Sequence, residues 1–376
     1  MRWDGLRLND QDGTAYDQDT TGHNQDITGA PATSPPDEVS APAAQAALFG
    51  RDAVARTFDT PGFRGMTFYE VHAKSIINRV PDKSLMPFRW TINPYRGCGH
   101  ACVYCFARNT HSYLDLDTGL DFNSKIIVKV NAGELARREL AKPQWAGEHV
   151  AMGTNVDCYQ RAEGRYQLMP AIIKALSDAR NPFSILTKGT LILRDLDLLE
   201  AAAQVTDVGL NLSVGFVDAG LSAAVEPGTP APRRRLDACA AITARGLACG
   251  VLMGPVLPFL SDSPAQLEQT VRQIAQAGAA RVSPIVLHLR PGAREWYLAW
   301  LAEHHPGLVG RYRELYGPGA YAPKYYQRQI AARVSDLAAK YGVGRASPAD
   351  TRNIKASERA PRPAAPTESG VQLSLL

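Results

Sequence analysis

Apolar residues gather along this chain in short runs separated by stretches of helical period. Six runs read as strands: Phe88–Ile92, His149–Gly153, Phe183–Leu186, Val208–Val214, Ala248–Met253 and Val282–His288. Between them, apolar positions recur every three or four residues over Glu134–Leu140, Pro170–Ala179, Asp195–Ala203, Pro232–Ala244 and Pro264–Ala277, the spacing of one buried helix face. Pro170, Pro232 and Pro264 each stand where a helix would begin, a place where the fixed φ of proline fits and its missing N–H costs nothing. Strands alternating with helices predict an α/β fold with a parallel sheet and right-handed crossovers. In such units the chemistry collects at the carboxyl ends of the strands. A last stretch, Lys324–Tyr341, puts Ile330, Val334, Leu337 and Ala338 on one face, suited to packing over the outside.

The two ends break this pattern. Residues 1–45 are rich in Asp, Gln, Thr, Ala and Pro, with too few large apolar side chains to offset the entropy of ordering, and 345–376 read the same way. The expected division is a disordered tail at 1–45, a folded body at 46–344 with its core at about 85–292, and a disordered tail at 345–376. Charge follows the division. Residues 1–50 hold eight acids and two bases, a balance of −6, so with a formal total of +4 the remainder carries +10. A basic body admits a nucleic-acid partner, although solvated Arg and Lys faces give the same balance. No run of about twenty apolar residues exists, so no membrane span is expected. The first residues lack an apolar signal core and three cysteines are scattered, which together predict a cytoplasmic protein.

The other three cysteines carry the chemistry. Cys98, Cys102 and Cys105 are spaced x3 then x2 within Asn93-Pro94-Tyr95-Arg96-Gly97-Cys98-Gly99-His100-Ala101-Cys102-Val103-Tyr104-Cys105. A closed zinc site takes four protein ligands, which here would need His100 or Cys158 as the fourth. Three soft thiolates alone suit an iron–sulfur cluster with one iron left open.

This spacing, with Tyr104 before the last cysteine, resembles the radical SAM superfamily. The closer resemblance is to its spore photoproduct lyase-like branch, often labelled DNA repair photolyases, and covers roughly Trp90 to Arg290. It rests on the cysteine block through Phe106-Ala107-Arg108, on Gly153-Thr154-Asn155-Val156-Asp157-Cys158-Tyr159-Gln160, on Leu186-Thr187-Lys188, and on Glu226-Pro227-Gly228-Thr229-Pro230. The resemblance implies an open six-stranded (β/α)6 partial TIM barrel and a [4Fe-4S] cluster on Cys98, Cys102 and Cys105. It also implies S-adenosyl-L-methionine on the open iron and a flavodoxin or ferredoxin type electron donor.

Further roles follow from the resemblance. Gly153 and Thr154 would offer groups to the methionyl amine of SAM. Asp157 would complement the amine or the sulfonium, or else cap a helix. Lys188 would meet the methionyl carboxylate, unless it is a surface lysine. Ser213 would bond the ribose, unless it is a satisfied core hydroxyl, and Tyr104 would shield the cluster and lend a donor. Spore photoproduct lyases carry a hydrogen-returning cysteine where this chain has Gly153. Cys158 lies five residues on as a weak catalytic candidate, with a buried small hydrophobe as the alternative.

The expected activity is therefore reductive cleavage of SAM and abstraction of a hydrogen atom from a substrate, with nucleic acid the first guess. The competing class is a redox-sensing or binding protein that keeps a cluster without turning over SAM. Arg233-Arg234-Arg235 and the tyrosines 312, 316, 321, 325 and 326 offer phosphate and stacking contacts, or else a solvated helix start and ordinary packing. The final Gln372-Leu373-Ser374-Leu375-Leu376 looks like the short peptides that dock on bacterial sliding clamps.

Overall fold

The computed structural model describes Phe49 and residues 53–344 apart from 82–85 and 87. Eleven strands lie among the described residues: β1 (Val54–Thr57), β2 (Thr67–Val71), β3 (Ile77–Arg79), β4 (Trp90–Ile92), β5 (Tyr95–Arg96), β6 (Lys125–Lys129), β7 (Val150–Met152), β8 (Phe183–Thr187), β9 (Val208–Ser213), β10 (Cys249–Val256) and β11 (Arg281–Val286). The larger sheet has the order β11-β10-β9-β8-β7-β4-β3. Its six strands from β4 to β11 are parallel and stand in chain order, and each coincides with one of the six apolar runs. The sequence expectation needs two corrections. β3 adds a seventh strand, antiparallel to β4, with Ile77 opposite Ile92. A second, mixed sheet of order β1-β2-β6-β5 stands beside it in the topology. The result is an α/β fold with mixed sheets.

The second sheet escaped the periodicity for a physical reason. β5 is two residues long and β1 has no buried residue, so neither shows alternation. The Ile126–Val128 run of β6 is buried, but three apolar residues do not separate a strand from one turn of buried helix.

Helix starts show local chemistry at work. Pro232 opens the helix Pro232–Ala244, and Pro264 opens Pro264–Gln276 behind a capping box of Ser263 and Gln266. Pro170 is instead the third residue of the helix Leu168–Asp178. That helix starts early because buried Glu163 takes the orphan N–H groups of Leu168 and Met169, both at 3.0 Å, across the left-handed Gln167. The helix Lys324–Lys340 buries Ile330, Val334 and Ala338 against the helix Pro264–Gln276 and β11, with Leu337 at the margin.

Candidate active site at the cysteine loop

The cysteine loop leaves β5 and runs into a 3-10 helix, Phe106–Leu114. Cys98 and Cys102 are buried and Cys105 is half-buried. The three thiols are close enough that charge on one disfavours charge on another. Burial raises all three; Cys102 is pushed up to about 12 despite the opposing pull of Lys188.

The loop is held from four sides. Gly97 sits at φ +82°, and a side chain there would lie 2.8 Å from the Lys125 carbonyl, so the turn into the loop demands glycine. The fully buried Arg108 donates to the carbonyls of Cys102 at 3.0 Å and Gly119 at 2.8 Å, and packs on the rings of Phe122 and Trp296. Gln160, also fully buried, accepts the Gly99 N–H and donates to the Gly97 carbonyl, each at 2.9 Å, straddling Cys98. Gly228 donates to the His100 carbonyl at 3.0 Å and presses so closely that any side chain there would strike the Gly99 carbonyl. The blocks containing Gln160 and Gly228 thus serve as walls of the loop. Neither role is visible in the local sequence, because each contact spans tens of residues.

Several of the expected cofactor residues converge where parallel strands end. Lys188 follows β8, and its Nζ donates to Ser213 Oγ at 2.8 Å; Ser213 ends β9 and donates to the Gly254 carbonyl at 2.9 Å. The same ammonium lies 5.8 Å from the centre of the Tyr104 ring. Lys188 is therefore no free surface lysine. Tyr104 donates its phenol to Glu226, which pairs with Arg235, and both charged side chains are about 1% exposed. Burial raises the Glu226 carboxyl, but Arg235 and Lys188 outweigh it and hold the group below its ordinary range. Arg235 also bonds the carbonyls of Ser213 and Pro230. This corrects the phosphate-binding expectation: Arg235 is spent inside, and only Arg233 and Arg234 face solvent.

Asp157 caps no helix. Its carboxylate accepts from Thr187 Oγ1 and from the Lys188 N–H, both at 2.6 Å, and from the Tyr159 N–H at 2.9 Å. His100 Nδ1 lies 3.4 Å away, out of line for a hydrogen bond. Burial alone would raise this carboxyl; His100, the Lys188 N–H and Thr187 together hold it at about 2.

Other expectations fall apart from this cluster. Gly153 follows β7 at φ +76°, where a side chain would sit 1.8 Å from the Leu186 carbonyl, so no cysteine fits that position. Thr154 follows it, half-buried. Cys158 is fully enclosed in the core and its thiol is raised by burial, which matches the small-hydrophobe alternative. Tyr312, Tyr316 and Tyr326 are buried with their hydroxyls bonded, leaving only Tyr321 and Tyr325 of that set exposed. No three His, Cys, Asp or Glu side chains among the described residues converge tightly enough for a single ion. A cavity of about 320 Å³ opens beside His100, bounded by Tyr159, Arg161, Gly189, Gly228 and Arg234.

Comparison with known proteins decides the family. The Radical SAM superfamily profile matches residues 92–274, the span that contains the cysteine loop and the ends of β7 to β10. The chain belongs to the radical SAM superfamily. The uncharacterized proteins Rv2578c of Mycobacterium tuberculosis and Mb2609c of Mycobacterium bovis are each 50% identical over 304 residues, covering 80% of this chain and 89% of theirs. The uncharacterized protein MJ0683 of Methanocaldococcus jannaschii is 29% identical over 193 residues, 51% of this chain and 69% of its own. Among solved structures, spore photoproduct lyase complexed with dinucleoside spore photoproduct superposes with a TM-score of 0.56 at 14% identity, covering 74% of this chain and 80% of that one. A mutant of that lyase with bound AdoMet gives the same score over 73% and 79%. These likenesses establish a shared fold. Superfamily membership makes the chain a radical SAM enzyme and implies SAM cleavage with an iron–sulfur cluster. None of its described helices is long and apolar enough to cross a membrane.

Proposed function

We propose that this radical SAM enzyme holds a [4Fe-4S] cluster on Cys98, Cys102 and Cys105 and abstracts a hydrogen atom from a substrate, with nucleic acid the first class to test. The donor set fits the group: three thiols in one sheltered loop, clamped by Gln160 and Arg108. When bound, cluster and SAM together supply a 5′-deoxyadenosyl radical. The observation that carries the reading is the meeting of Lys188, Ser213 and Tyr104 at the ends of β8 and β9, within the electrostatic reach of Cys102 and Cys105.

The chain's own residues divide the work. Lys188 offers its ammonium to the methionyl carboxylate as a point charge. Ser213 orients that ammonium; its own hydroxyl is buried and satisfied by Lys188 and the Gly254 carbonyl, as the core-hydroxyl alternative expects. Asp157, its oxygens taken by Tyr159, Thr187 and Lys188, acts on SAM indirectly by fixing the main chain at Lys188. Gly153 and Thr154 present backbone and hydroxyl groups at the end of β7. The Tyr104–Glu226–Arg235 array closes the floor and keeps water from the loop. The six parallel strands form the partial barrel that shelters these groups, within a core of about 85–292.

Support for a nucleic-acid substrate comes from the basic body and from a structural neighbour that is complexed with a dinucleoside. Spore photoproduct repair is not proposed, because Gly153 excludes the hydrogen-returning thiol and Cys158 is walled in. An electron donor is required; the clamp-like Gln372–Leu376 and both expected tails lie outside the described residues. The test is anaerobic reconstitution followed by dithionite and SAM, with 5′-deoxyadenosine as the readout. Its absence from protein with a full complement of iron and sulfide defeats the proposal.

A further inference from the structure

We propose that the face formed by Phe106, Arg290, Tyr321 and the start of the helix Lys324–Lys340 is the docking surface for a small acidic one-electron carrier protein. The proposal rests on the cluster assignment above. Phe106 follows Cys105 through a single peptide bond and is 39% exposed, and Cys105 is the least enclosed of the three thiols. The cysteine loop thus reaches the surface at Phe106.

The face is built from cation and ring rather than from loose side chains. The Arg290 guanidinium lies 5.6 Å from the Phe106 ring centre and 5.9 Å from that of Tyr321, and it donates to the Tyr321 hydroxyl at 2.9 Å. His288 also packs edge-on against Tyr321, with ring centres 4.6 Å apart. Tyr321 itself, 47% exposed, is pinned by its bridge to His288 and by the Leu289 N–H on the Ala320 carbonyl at 2.8 Å. Lys324 and Tyr325, both exposed, follow three and four residues later.

Charge selects the partner. Neither Arg290 nor Lys324 pairs with a carboxylate among the described residues, and the nearby Glu295 spends its side chain on the Gly292 N–H. A positive, aromatic, exposed face complements the acidic patch of a reduced carrier and steers its approach. The cavity at His100 is separate from this face: it is lined by none of Phe106, Arg290 or Tyr321. In the transfer step the carrier loses one electron and the cluster gains it, and no bond or proton moves on this face.

The experiment compares two reductants on reconstituted protein. Dithionite is small and needs no docking surface; a purified bacterial flavodoxin, reduced by its reductase and NADPH, does. Arg290→Glu should lower the ratio of flavodoxin-driven to dithionite-driven 5′-deoxyadenosine at least five-fold. It should also weaken flavodoxin binding, measured by calorimetry with the cluster protein, by ten-fold or more, whereas Arg290→Lys should retain most of both. Raised salt should depress the flavodoxin-driven rate of the wild type more than the dithionite-driven rate. An unchanged ratio and unchanged binding in Arg290→Glu would overturn the docking face. So would equal falls with both reductants, or a loss confined to binding of a single-stranded oligonucleotide, which would assign the face to substrate. Wild-type protein that makes no 5′-deoxyadenosine even with dithionite would instead sink the proposed function on which the docking face rests.

Discussion

Lys188 Nζ and Ser213 Oγ stand 2.8 Å apart and join the carboxyl ends of β8 and β9. Ser213 passes the bond on to the Gly254 carbonyl of β10, so three adjacent strand ends share one short chain of donors. The ammonium is thereby aimed alongside Tyr104 instead of into solvent. Removing it should cost SAM affinity before it costs structure, because Ser213 keeps its partner on Gly254. A charge-assisted contact is worth on the order of 1.5–3 kcal/mol, so Lys188→Ala should bind SAM roughly ten-fold or more weakly by equilibrium dialysis. Its iron content should stay near that of the wild type. Unchanged SAM affinity would reduce Lys188 to a strut between strands.

Gln160 is the residue whose loss should loosen the loop itself. Gln160→Leu keeps the bulk but strands the Gly99 N–H and the Gly97 carbonyl, at about 1–3 kcal/mol for each buried group left unpaired. The expected result is a lower melting temperature and several-fold faster loss of iron to a chelator. Gln160→Glu should fall between, since it still accepts from Gly99 but sets an oxygen against the Gly97 carbonyl. Iron retention equal to wild type in Gln160→Leu would remove the clamp from the account.

Gly153 supplies a conformational test with an internal control. Its φ is +76°, and a Cβ there would lie 1.8 Å from the Leu186 carbonyl, which forbids any other residue, whereas Gly65, at φ +74°, faces open space. Gly65→Ala should cost about 1–3 kcal/mol, the usual range for a left-handed non-glycine. Gly153→Ala and Gly153→Cys should cost clearly more, or fail to give soluble protein. Equal melting temperatures for Gly65→Ala and Gly153→Cys would show that β7 and β8 yield freely, and would reopen the position to a thiol.

Much of this was legible in the chain because burial leaves a periodic trace. β7 to β10 are enclosed by helices on the sheet, so their apolar runs are nearly continuous and their positions follow from sequence. The thiol spacing and Lys188 are likewise local signals. What stayed hidden depends on return contacts. Arg235 sits in a run of three arginines that reads as a solvated helix start, yet it turns inward to meet Glu226. Asp157 is followed by a helix and suggests a cap, yet its acceptors serve the neighbouring strand end. Gln160 has no motif of its own. Each of these needs the fold before it has a partner.

His149 predicts how stability varies with pH. The residue precedes β7, and burial lowers its pKa from 6.5 to about 4, with Nε2 lacking a partner. In the unfolded chain the imidazole takes its proton near 6.5, and the folded protein refuses it until about pH 4, so between the two the unfolded state binds more protons. The stabilisation is complete above 6.5, is lost progressively as pH falls toward 4, and is constant below. The gap sets a ceiling of about 3 kcal/mol, reduced by the partial exposure of the ring. His149→Phe should flatten the fall in melting temperature between about pH 6.5 and 4.5 relative to wild type. Parallel curves would place the acid sensitivity elsewhere.

The most direct measurement of the central claim is 5′-deoxyadenosine formed from SAM by the dithionite-reduced protein and its cysteine variants. Cys98→Ala, Cys102→Ala and Cys105→Ala should each abolish product and the cubane absorbance together, because two thiolates do not hold the cluster. Cys239→Ala, in the core on the helix Pro232–Ala244, should form product at close to the wild-type rate. Full iron content and undiminished 5′-deoxyadenosine from anaerobically reconstituted Cys98→Ala would contradict the account.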